Sequence, residues 1–118
     1  MYGLWETGGG TGEYRPSSKN VPTESVIITK AIKLIAKEFP HAFVFKVHGG
    51  LYQRSGIPDL YVGIEGKSIW IEMKRPGADT TALQKHKMEQ LIAQRIFCGT
   101  AESPERVIEI IKKVLAES

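Results

Sequence analysis

Gly56-Ile57-Pro58-Asp59-Leu60-Tyr61-Val62-Gly63-Ile64-Glu65-Gly66-Lys67-Ser68-Ile69-Trp70-Ile71-Glu72-Met73-Lys74 is the stretch that decides the fold. Pro58 to Ile64 predicts a strand, with the proline confined to its start because it cannot donate to a ladder. Glu65-Gly66-Lys67 predicts a short hairpin turn. Ser68 to Lys74 predicts the strand that returns. Side chains alternate along a strand, so Ile69, Ile71 and Met73 share one face while Trp70, Glu72 and Lys74 share the other. Asp59 falls at the mouth of the preceding strand. Neighbouring strands lie about 4.8 Å apart, which brings Asp59 and Glu72 within reach of each other.

Working toward the N-terminus, Ala42 to His48 predicts another strand. Phe43, Phe45 and Val47 face one way, and Val44, Lys46 and His48 the other. Gly49 to Gly56 predicts a loop. Before it, Thr23 to Phe39 has helical period: Thr23 caps, Ile27, Ile28, Ala31, Leu34 and Ile35 form the apolar stripe, and Pro40 ends it. Residues 1–21 hold Gly8-Gly9-Gly10 and many Ser, Thr and Pro residues without period, the composition of a flexible arm. Residues 22–118 then form one domain. Toward the C-terminus, Arg75-Pro76-Gly77-Ala78 breaks the strand. A second helix, capped by Asp79 or Thr80, runs to about Arg95. Ile96 to Ala101 is a short fourth strand. Ser103 caps and Pro104 opens a last helix with Val107, Ile110, Ile111 and Val114 on its stripe. The order αβββαβα describes an α/β domain: a small mixed sheet, made of a three-strand antiparallel meander plus a fourth strand, flanked by helices.

The 118 residues suffice for one core, and 42% hydrophobic with 25% charged residues is an ordinary globular balance. A net charge of +3 suits a polyanionic partner without requiring one. The single cysteine, Cys98, excludes an intrachain disulfide and a cysteine-based zinc site. It reads as a small buried hydrophobe. Lack of disulfides fits a reducing cytoplasm. No apolar run approaches the roughly 20 residues of a membrane span, and the N-terminus lacks the order of a signal peptide.

Two hard oxygen ligands and one ammonium form the minimal kit for holding Mg²⁺ or Mn²⁺ against a phosphodiester. Without an ion, Asp59 and Glu72 repel and one tends to protonate. Lys74 offsets charge that grows on phosphorus oxygens. Glu24 lies in line with Ile28, Ala31 and Ile35, where a lone carboxylate needs a proton, a cation or water; alternatively it is a first-turn acid complementing the helix dipole. Gln84 aligns with Met88 and Leu91 on the inner face of the second helix. It also fits a capping box, Thr81-Ala82-Leu83-Gln84. Asp59 can be read as a turn cap after Pro58, and Glu72 with Lys74 as a solvated strand face. Lys46 and His48 are phosphate contacts or ordinary sheet-surface residues. Arg54, with Ser55 beside it, and Arg75 sit on loops next to the site and are candidate DNA contacts.

Taken together, Glu24, Gly56-Ile57-Pro58-Asp59, Glu72-Met73-Lys74 and Gln84 resemble the VRR-NUC domain, the virus-type replication and repair nuclease branch of the PD-(D/E)XK superfamily. The resemblance spans roughly Thr23 to Ala116. It implies a restriction-endonuclease-like core. It implies metal ligation by Asp59, Glu72 and the Met73 backbone carbonyl, with Lys74 as catalytic lysine and Glu24 and Gln84 as supporting site residues. It further implies a Mg²⁺- or Mn²⁺-dependent endodeoxyribonuclease, active as a homodimer on branched DNA such as four-way junctions, as in stand-alone phage-type members. The alternatives are a general repair or restriction-type nuclease on the same core, and a non-catalytic DNA-binding module.

Overall fold

The structure, a computed structural model, describes residues 21–47 and 56–117. Among them the order is α1 (Glu24–Glu38), β1 (Phe43–Lys46), β2 (Leu60–Ile64), β3 (Lys67–Met73), α2 (Ala82–Ala93), β4 (Phe97–Ala101) and α3 (Pro104–Ala116). This is the αβββαβα order expected. The four strands form one sheet in the order β1-β2-β3-β4. The first three pair antiparallel, and β4 joins β3 in parallel through the α2 crossover. Residues 1–20 of the expected arm, His48, Arg54 and Ser55 lie outside the described residues. Among the described residues no helix is long and apolar enough to cross a membrane.

Local chemistry sets these boundaries. The Thr23 hydroxyl accepts the Val26 N–H at 3.3 Å and opens α1. The Ser103 hydroxyl accepts the Arg106 N–H at 3.1 Å and Pro104 begins α3. Glu65 (φ 49°) and Gly66 (φ 77°) both take left-handed backbone between β2 and β3, the twist a two-residue hairpin requires. One boundary differs from the sequence expectation. The second helix starts at Ala82 with Thr81 as its cap, not at Asp79 or Thr80, because Thr81 alone has a glutamine three residues on to complete a capping box.

Cross-strand partners share a face, so the register sorts the sheet into two sides. Leu60, Val62, Ile69, Ile71, Met73, Phe97 and Ala101 line one side and meet Ile27, Ala31, Ile35, Val107, Ile110, Ile111 and Val114 from α1 and α3. That layer is the core. The opposite side carries Phe43, Phe45, Tyr61, Trp70, Glu72, Cys98 and Thr100. Helix α2 covers it over β4 through Met88, whose carbonyl accepts the Cys98 thiol at 3.6 Å. The far half stays open: Phe43 is 61% and Phe45 50% exposed. The alternation of β1 was correctly anticipated. Its aromatic side faces outward, while Val44 and half-buried Lys46 lie toward the helix-covered side.

Candidate active site

The site forms where β2 begins and β3 ends. H-bonded pairs in the β2–β3 ladder recur every second residue, through Ile64–Lys67, Val62–Ile69 and Leu60–Ile71. The next such pair would oppose Pro58 to Met73, and proline has no N–H to give. The ladder therefore stops. The Met73 N–H turns instead to the Asp59 carboxylate, donating to Oδ2 at 2.9 Å. N–H and C=O of one strand residue point to the same edge, and Lys74 N–H points to the other, bonding Ala101 O at 2.8 Å. The Met73 carbonyl is thus directed to the Asp59 side, opposite a residue without a donor.

Gly56 explains how Asp59 is delivered there. Its φ is +89°, and a Cβ would lie 3.0 Å from the Leu83 carbonyl oxygen. Only glycine lets this segment run against the first turn of α2. The turn after β3 is tied down from the other direction, the Gly77 N–H donating to Glu102 Oε2 at 2.8 Å.

Glu72 and Lys74 emerge on the α2 side of the sheet and both are buried, 3% and 7% exposed. Gln84 bridges them. Its Nε2 donates to Glu72 Oε2 at 2.9 Å, and its Oε1 accepts from Lys74 Nζ. The same Oε1 accepts the Thr81 N–H at 3.0 Å, while the Thr81 hydroxyl accepts the Gln84 N–H at 3.1 Å. Capping box and site residue, two competing roles in the sequence, are one arrangement here. Thr81 was not among the site residues anticipated; its place in the capping template was the available signal.

The electrostatics follow from this crowding. Burial pushes Glu72 up to about 9, helped by the charge and close approach of the Asp59 carboxylate, with Lys74 opposing. Burial also raises Asp59, against the Met73 N–H, the neighbouring Glu72 carboxyl, Lys74 and Lys46. Glu24, at the first turn of α1, is raised by burial and by Asp59, against Lys74 and Arg75. Glu24, Asp59, Glu72 and Lys74 therefore share one electrostatic neighbourhood, with Lys46 near Asp59 and Arg75 near Glu24. Among the described residues, two buried side-chain polar atoms lack a hydrogen-bond partner, Glu72 Oε1 and Arg75 Nε, and both belong to this cluster. Orphaned buried polar atoms are costly, and a pair of opposite charge preference at one place suits a cation and an anion arriving together.

Among the described residues no group of three or more His, Cys, Asp and Glu side chains is arranged to hold a metal ion. The available donors are instead two carboxylates and a main-chain carbonyl. Mg²⁺ keeps several waters and is commonly held by one or two carboxylates, so this open set fits it better than it fits a fully protein-caged ion. Comparison with protein-family models, curated proteins and solved structures finds no match for this chain.

Proposed function

We propose that this protein is a Mg²⁺- or Mn²⁺-dependent endodeoxyribonuclease of the VRR-NUC kind on a restriction-endonuclease-like core, cutting branched DNA as a homodimer. The observation that carries the function is the chain Glu72–Gln84–Lys74 beside Asp59, with Glu72 Oε1 buried and unpartnered. A solvated strand face would leave these groups in water. A purely structural network would satisfy all of them.

Asp59, Glu72 and the Met73 carbonyl would hold the ion. When bound, it supplies charge neutralisation and a more acidic water for phosphodiester hydrolysis. The protein's own groups do the rest. Lys74 Nζ, oriented by Gln84, donates to the scissile phosphate or to the attacking water. The water oxygen bonds to phosphorus as the P–O3′ bond breaks, leaving a 5′-phosphate and a 3′-hydroxyl. Arg75 offers its unpartnered Nε to phosphate, and Lys46 extends the cationic side near Asp59. Glu24 steadies the neighbourhood from α1. Paired nicks across a four-way junction need two such sites related by a two-fold axis, which a homodimer provides.

The test is nicking of a labelled four-way junction with Mg²⁺ by wild type and Lys74→Ala. The expected result is loss of at least about 100-fold in rate for the variant, the scale of one electrostatic donor. Equal rates would remove the mechanism. Parallel assays on a flap and a linear duplex separate junction cutting from general nuclease activity.

A further inference from the structure

A cavity of about 250 Å³ opens beside the site, walled by Ile57, Pro58, Trp70 and Leu91. Lys87, Gln90 and Gln94 of α2 complete its lining. Each wall is coupled to a site residue by the covalent chain. Pro58 precedes Asp59. Trp70 stands two residues before Glu72 on the same sheet face, about 7 Å along the strand. Lys87 and Leu91 follow Gln84 by three and seven residues, one and two turns further along α2. The cavity therefore lies on the Glu72 face of the sheet, next along α2 from Gln84.

The lining is almost wholly carbon, so the cavity does not suit a phosphate. It has room for a flat heterocycle. Lys87 of α2 lines it, and Lys74 and Arg75 belong to the neighbouring site. An apolar slot among cations fits a ligand that is anionic along its backbone and aromatic at its side groups. Beyond Trp70 the same face continues through Tyr61, with ring centroids 5.1 Å apart, to Phe43, 6.2 Å from Tyr61. Phe43 and Phe45 are exposed there.

We infer that this cavity receives one unpaired nucleobase of the strand whose phosphate lies at Glu72 and Lys74, and that the Tyr61–Phe43 strip supports the bases that follow. The inference deepens the nuclease function and rests on it for the position of the phosphate. It assigns the protein a preference for DNA with an unstacked nucleotide next to the cut, because stacking on aromatic side chains needs a base freed from its duplex.

The experiment is a binding measurement in EDTA, where no cleavage intervenes. The sequence has two tryptophans, so Trp5→Phe leaves Trp70 as the reporter. This variant is titrated with an oligothymidylate and with an abasic oligonucleotide of equal length and charge. The base-bearing strand should quench Trp70 emission and bind about tenfold more tightly, the scale of one stacked base. In anisotropy measurements Trp70→Ala should lose about the same factor and Trp70→Phe should recover most of it. Circular dichroism establishes that each variant is folded. Equal binding of the two strands with unchanged emission overturns the inference, as does a lack of binding by either strand. A loss of dimer mass in Trp70→Ala with undiminished oligonucleotide affinity also overturns it, assigning the cavity to a second copy. Junction cleavage with Mg²⁺ is scored separately. Cleavage with no base dependence sinks the subsite alone, and base-dependent binding without cleavage sinks the nuclease and leaves a stacking surface.

Discussion

Glu72 is the residue at which burial, repulsion and chemistry meet. Its folded pKa of about 9 stands above the ordinary 4.5. Between those values the folded protein holds a proton that the unfolded chain has released. Stability therefore falls as pH rises through that window and is fully present only below it. In EDTA, the melting temperature of wild type should drop between about pH 6 and pH 9, and Glu72→Gln should flatten that slope. Thermal unfolding followed by circular dichroism checks both. Adding Mg²⁺ should flatten it too, since an ion takes over what the proton does and binding should release protons at neutral pH. Calorimetry in two buffers of different ionisation enthalpy measures that release; heats independent of buffer would contradict it. Cys98 shows burial acting alone: its thiol is pushed up to about 12. It should resist a disulfide exchange reagent at pH 8 until the chain unfolds, as followed by release of the reagent's chromophore.

At the scale of elements, the site depends on two junctions, the entry to β2 and the start of α2. Gly56→Ala would put a methyl group 3.0 Å from the Leu83 carbonyl at a φ of +89°. Urea unfolding should report a loss of about 1–3 kcal/mol. Thr81→Ala removes the cap and should cost about 1 kcal/mol. It should also lower the nicking rate, because the hydroxyl that holds the Gln84 N–H is lost, although the Thr81 N–H still donates to Gln84 Oε1. An unaltered rate would mean that the Thr81 N–H, Glu72 and Lys74 suffice to hold Gln84. The hairpin, the paired carboxylates and the α3 cap were legible because Pro58, Glu65-Gly66 and Ser103-Pro104 each act through a few neighbouring bonds. The start of α2 was less so. Its apolar stripe is weak, with Met88 its one fully buried residue, so periodicity gave little to set against three consecutive capping residues.

For the whole molecule, alternation along β1 separates two faces but does not say which one a helix will cover. That is decided by α1 and α3 packing together on the Leu60–Ile71 side, a contact between distant segments. The same limit applies to the cavity beside Trp70, whose walls come from three parts of the chain and make no motif. Because Phe43 is exposed, Phe43→Ser should leave stability within about 0.5 kcal/mol in urea unfolding. The bridging glutamine has a further consequence. Gln84 sits in the opening turn of α2, and helix ends fray before a core melts. Warming should loosen that turn while the β3–β4 pairing still holds, freeing Lys74 to swing. Nicking would then fade at temperatures where the far-ultraviolet spectrum is still native, so heat would silence the protein before it unfolds it.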